Sequence, residues 1–154
     1  MPAFRALSEA AFSKVRAWHH YASMSKKNFR EHLQQDVVRY KKYLYVLRPL
    51  LAARWVRDHP GVPPMRFAEL ALGTLDAHAD AALIAEINAL LDVKMRAGEA
   101  ATSPRCPLIH AFIESELALN AAEPLQAPVA RDTSALDAFL HETVLRFDAR
   151  SPMT

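Results

Sequence analysis

Three glycines, Gly61, Gly73 and Gly98, are all that this 154-residue chain contains, and no two lie closer than twelve positions. A loop that cradles phosphate through its backbone needs two or three glycines within a few residues. The main chain must approach the oxygens closely and adopt positive φ. The Rossmann dinucleotide fingerprint and the Walker loop are therefore both excluded.

The stretches between the glycines carry apolar residues at helical spacing. Phe12, Val15, Trp18, Ala22, Phe29 and Leu33 recur at three- and four-residue steps, with Ser8 placed to cap a first helix. A second helix is expected from about Gln35 to Asp58, ending at His59-Pro60-Gly61. Its apolar residues, among them Val37, Leu44, Leu47, Leu51 and Trp55, cover a wide arc, so it should be central. After the break "DHPGVPPM", "RFAELALG" reads as a short helix ending at Gly73. The segment from Leu75 reads as an amphipathic helix closed by Gly98 as C′ residue. "LIHAFIESELALNAAE" continues the helical pattern, and Thr133 or Ser134 can cap a last helix through Phe139, Leu140, Val144, Leu145 and Phe147. Convincing β alternation is missing and no repeat appears. The expectation is one all-α domain over residues 1–154, a bundle of five to six helices with a proline-kinked central helix. That proline, Pro49, should remove the hydrogen bond to the carbonyl of Tyr45, a change that costs roughly 3 kcal/mol in a helix interior.

Charge is segregated. Between Lys14 and Arg57 eleven basic residues face two acidic ones, Glu31 and Asp36, whereas from Asp58 onward fourteen acidic residues outnumber seven basic ones. Arg16, His19, His20, Ser23, Lys26, Lys27 and Arg30 fall mostly on one face of the first helix. Arg39, Lys41, Lys42 and Arg48 bracket Tyr40 and Tyr43 on the second. Such a surface suits triphosphate or nucleic-acid backbone, and equally an acidic partner. Cys106 is the single cysteine, which excludes an internal disulfide and fits a reducing, cytoplasmic compartment. No apolar run is long enough for a membrane span, and "MPAFRALSEAAF" lacks the layout of a signal peptide. The seven His and one Cys show no zinc-type spacing.

Two motifs go further. "HYASMSKKNFREHL" followed by "VVRYKKYLYVLRPLLAARWV" and "PPMRFAEL" resembles the helical C-terminal region of predicted bacterial and phage nucleotidyltransferases. These belong to the DNA polymerase β superfamily and are associated with RNA repair. The likeness is best over about residues 19–72 and extends more loosely to about 119. The resemblance implies a region that closes the nucleotide cleft opposite a catalytic palm. It makes Ser23, Ser25, Lys26 and Lys27, then Lys41, Lys42 and Tyr43, triphosphate-contact candidates, with Arg48 as a buttress and His19 and Asn28 as lesser ones. It also implies Mg²⁺ with a nucleoside triphosphate, held only when a palm is present, and RNA or a separate palm-domain chain as partners. The palm's Gly-Ser turn and Asp-x-Asp carboxylates are absent from this sequence, so no catalytic residue is assigned and activity requires the missing half.

Two alternatives remain. One is a helical ribonuclease-type toxin, marked by an Arg followed by His after four to six residues, a spacing met by Arg54…His59 and Arg105…His110 and common by chance. The other is a basic interaction module that binds RNA or an acidic partner. Trp18 and Trp55 are assigned to the core.

Overall fold

The computed structural model describes Ala6 and residues 11–96, 102–126 and 134–148. The chain falls into two compact units, Lys14–Gln126 and a second made of Met1–Ser13 with Ala127–Thr154. In the larger unit the order is α1 (Lys14–His32), β1 (Val37–Arg39), α2 (Tyr40–Asp58), α3 (Phe67–Thr74), α4 (Ala81–Arg96), β2 (Thr102–Pro104) and α5 (Pro107–Ala122). The smaller unit contains α6 (Ser134–Asp148), where Leu140, Val144 and Leu145 are exposed and the Thr143 hydroxyl donates to the Phe139 carbonyl. The all-α bundle expected from the periodicity is what the chain forms.

α2 is the centre. Tyr43, Val46, Leu47, Pro49, Leu50, Leu51, Ala52, Ala53 and Val56 are all buried, so apolar side chains surround its axis. A helix that is apolar all round must be covered on most sides. α1 lies along one flank, and α3, α4 and α5 pack against others. Leu33 joins from α1's end, Leu70 from α3, Leu83, Ile87 and Leu90 from α4, and Ile109 and Ile113 from α5. Each fully buried side chain of this size contributes about 1.5–3 kcal/mol.

Pro49 sits buried in α2, and its missing N–H leaves the Tyr45 carbonyl without a helical donor. Asn28 on α1 supplies one, its Nδ2 donating to that oxygen at 2.8 Å. The interruption in one helix is thus filled by a side chain of the next.

Several boundaries differ from expectation. Phe12 and Ser13 are not helical, so α1 starts at Lys14; Ser8, Gly98 and Thr133 lie outside the described residues. α2 begins at Tyr40, because Val37–Arg39 pairs antiparallel with Thr102–Pro104, Val38 opposite Ser103. Three-residue strands are too short for alternation to register. Arg105 fastens this ribbon. Its amide donates to Asp36 O at 3.1 Å, its Nε to Gln35 O at 2.9 Å, and its guanidinium to Gln34 O. α4 begins at Ala81, since Asp76 initiates a separate turn. Asp76 Oδ1 accepts from the amides of His78 and Ala79 at 2.8 and 2.7 Å, and these bonds hold its carboxyl below the usual range.

α3 runs one residue past Gly73, and that glycine has a packing role. The Trp55 ring lies so close that a Cβ at position 73 would collide with Cζ3. Trp55 in turn stacks on His59, ring centroids 4.1 Å apart.

Candidate functional site

The cationic residues of α1 and α2 do not converge on one concavity. Ser25 is fully buried, its hydroxyl donating to the Ala22 carbonyl of its own helix at 2.9 Å. Lys27 is exposed and stands 3.8 Å from Glu31. The Lys42 ammonium donates to His32 Nε2 at 3.3 Å and lies 5.0 Å from the centre of the Tyr45 ring. Lys41 is half-buried, and Arg48, though exposed, donates to the Met65 carbonyl. Asn28 is engaged with Tyr45 O.

Tyr43 is 1% exposed and belongs to a buried relay. The Cys106 amide donates to the Tyr43 oxygen at 2.8 Å, and the Tyr43 hydroxyl donates to His110 Nδ1 at 3.0 Å. His110 Nε2 then donates to the Leu33 carbonyl at 2.9 Å. The last bond fixes the tautomer, because a carbonyl can only accept. Burial pushes the Tyr43 hydroxyl above its ordinary pKa, against the pull of the Cys106 amide. The relay ties the end of α1, the start of α2 and the start of α5 together. Cys106 and His110 lie four positions apart at the start of α5, but Leu33 and Tyr43 reach them from far away in the sequence, so no local pattern announces the relay.

The same contacts bear on the ribonuclease-type reading. His110 has both ring nitrogens bonded within the protein, and Arg105 is spent on the ribbon's carbonyls. Arg54 pairs with Glu116 at 3.3 Å, and His59 is stacked on Trp55. Each Arg–His pair thus has at least its arginine engaged by the scaffold.

Two of the expected residues, Ser23 and Lys26, do line a groove together. It has a volume of about 330 Å³ and lies between α1 and the last turn of α5. Both are exposed, as is His19 on the same rim. The inner members of the lining are Trp18, 2% exposed, and Asn120, 8% exposed. Arg57 holds them. Its guanidinium donates to Asn120 Oδ1 at 2.9 Å and to the Glu123 carbonyl at 3.1 Å, and sits 5.5 Å from the centre of the Trp18 ring. Among the described residues Trp18 Nε1 and Asn120 Nδ2, both buried, have no hydrogen-bond partner. Lys26 gives the rim of the groove a positive charge, and none of its described lining residues is acidic. Asn120 carries no sequence signal, since only the fold sets it opposite α1.

A larger cavity, about 500 Å³, opens where α4 faces β2 and the start of α5. It is mostly apolar, with Tyr40, Ser103, Arg105 and Glu86 among its polar lining, and the Cys106 thiol donates to Glu86 at 3.3 Å. Burial, with the Glu86 carboxylate adding to it, pushes the Cys106 thiol up, while the amides of Ile109 and Leu108 pull the other way. Among the described residues no group of three His, Cys, Asp or Glu side chains could hold a metal ion. No helix among them is long and apolar enough to cross a membrane.

The chain is thus mostly helical, and its larger unit carries a groove rimmed by His19, Ser23 and Lys26. The chain belongs to the RlaP family, described as the RNA repair pathway DNA polymerase beta family, whose model matches residues 1–142. It is 39% identical over 142 residues to the uncharacterized protein YcgL of Bacillus subtilis (strain 168), an alignment covering 91% of this chain. The chain spans about half of that relative, 54% of its length. No solved structure matches. The family read from the "HYASMSKKNF" and "KKYLYVLRPLLA" motifs is thereby shown.

Proposed function

We propose that this chain is the helical, triphosphate-binding part of a nucleotidyltransferase, inactive without a palm domain. Membership of a polymerase-β-related family supports the reaction class. The observation that carries the reading is the groove in which Ser23 and Lys26 stand side by side with no carboxylate among its described lining residues. There the Lys26 ammonium and the Ser23 hydroxyl hold phosphate oxygens, so that the attacking group and the departing pyrophosphate are aligned. The Mg²⁺ ions of such a reaction would be held by palm carboxylates. RNA as the acceptor rests on the family's description alone.

The test is nucleotidyl transfer by the chain joined to a palm domain, as in a full-length relative. Lys26→Glu should raise KM for the nucleoside triphosphate at least tenfold. Arg30→Glu, an equal charge change outside the groove, should not. Equal effects would point instead to a basic interaction face with no defined nucleotide pocket.

A further inference from the structure

The cavity between α4, β2 and the start of α5 lies apart from the groove of Ser23 and Lys26. The two share no described lining residue, and Ile109 in one and Asn120 in the other are roughly 16 Å apart along α5. Hydrocarbon from Ala89, Leu90, Val93, Pro107, Leu108 and Ile109 makes up much of the cavity wall. Its volume of about 500 Å³ is in the range that encloses a small organic molecule.

Sites of this kind orient their ligand through a few polar groups set in an apolar wall. Several of the polar groups here are already committed. The Tyr43 hydroxyl donates to His110, the Ser103 hydroxyl to the Pro104 carbonyl at 2.7 Å, and the Arg105 guanidinium to the carbonyls of Gln34 and Gln35. Asp36, 3.8 Å from Arg105, offsets its charge. Glu86 differs. Its Oε2 accepts from the Cys106 thiol, a weak donor, and among the described residues no cation pairs with it. A charged donor suits such a carboxylate better than a neutral one, because hydrogen bonds between ionised groups are roughly twice as strong.

We infer that this cavity binds a small apolar amine, its hydrocarbon body against Leu90, Val93 and Ile109 and its ammonium on Glu86. This second site takes a cation rather than a phosphate, and stands whether or not the groove holds a nucleotide.

The probes are 2-phenylethylamine and 3-phenylpropionate, which share a body of similar size and carry opposite charges. With ¹⁵N-labelled protein the amine at millimolar concentration should shift the Glu86, Ala89, Cys106 and Ile109 amides in a saturable way, and the acid should not. Glu86→Gln, at an exposed position, should keep the melting temperature and weaken amine binding about tenfold. Glu86→Lys should reverse the preference between the two probes. Ala89→Phe, also at an exposed position, fills the cavity and should abolish binding with the melting temperature retained.

Equal shifts with both probes, or unchanged affinity in Glu86→Gln, would overturn the amine as ligand. Shifts confined to the residues around Ser23 and Lys26, or none at all, would overturn the site. Amine binding that survives Ala89→Phe would place the ligand elsewhere and overturn it as well.

Discussion

Asn28 Nδ2 donates to the backbone carbonyl of Tyr45 at 2.8 Å, filling the place that Pro49 leaves empty in α2. The pairing joins two neighbouring helices through a defect in one of them. A polar residue that the family likeness marked as a lesser ligand candidate is thereby occupied in the scaffold.

The pairing predicts coupling. Asn28→Ala should lower stability by about 1 kcal/mol, the usual net worth of one such bond. Pro49→Ala restores an N–H able to reach Tyr45 O, so Asn28→Ala should do less harm in that background. Urea midpoints of the four proteins provide the measurement; equal losses in both backgrounds would show that Asn28 is not filling the gap.

Tyr43→Phe should cost about 1–3 kcal/mol, since it strips the Cys106 amide of its acceptor and His110 of its donor in a buried place. The pH dependence has a definite sign. Burial raises the Tyr43 pKa in the folded state, so its contribution is fully present below the ordinary value of 10.0 and is lost as pH rises through the folded pKa. The stability gap between the parent and Tyr43→Phe should therefore narrow above about pH 10, as read by melting at a series of pH values.

Glu116 offers the corresponding test at low pH. Burial raises its pKa, and the nearby Arg54 and then Arg57 guanidinium groups only partly oppose this. Its contribution is present below the ordinary 4.5 and falls away as pH rises through the folded value. Relative to the parent, Glu116→Gln should become more favourable as pH climbs from about 4.5 toward neutral. Chemical denaturation across that range decides it, and the opposite slope would mean that the Arg54 pair outweighs desolvation.

Gly73→Ala should destabilise by about 1–3 kcal/mol, as overpacking does. In an unobstructed helix the same change gains about 0.5–1 kcal/mol, so the sign alone is informative. Trp55→Phe, which removes the part of the ring that Cβ would strike, should recover most of the loss. Thermal melts of the single and double variants measure this.

Helical character, the central place of α2, the family and the orphaned Tyr45 carbonyl could all be read from the chain. Each depends on residues a few positions apart: three- and four-residue apolar steps, a proline and its i−4 carbonyl, two contiguous motifs. The boundaries at Tyr40 and Ala81 were less legible, because a three-residue ribbon and an aspartate-initiated turn competed with helix extension and won through contacts distant in sequence. Of the charged and polar residues singled out, Ser23 and Lys26 meet at a groove, whereas Ser25, Tyr43 and Arg48 are bonded within the scaffold.

Local spacing determined which faces of the helices are apolar and which are basic, since the 3.6-residue repeat assigns every side chain an angle about its own axis. It left undetermined which faces meet. That was decided by packing, which set Asn120 against Trp18 from 102 positions away, turned its amide with Arg57, and buried Tyr43 against His110. A hydrogen bond needs its partners within about 3 Å and correctly aligned, a condition that only the folded chain can meet.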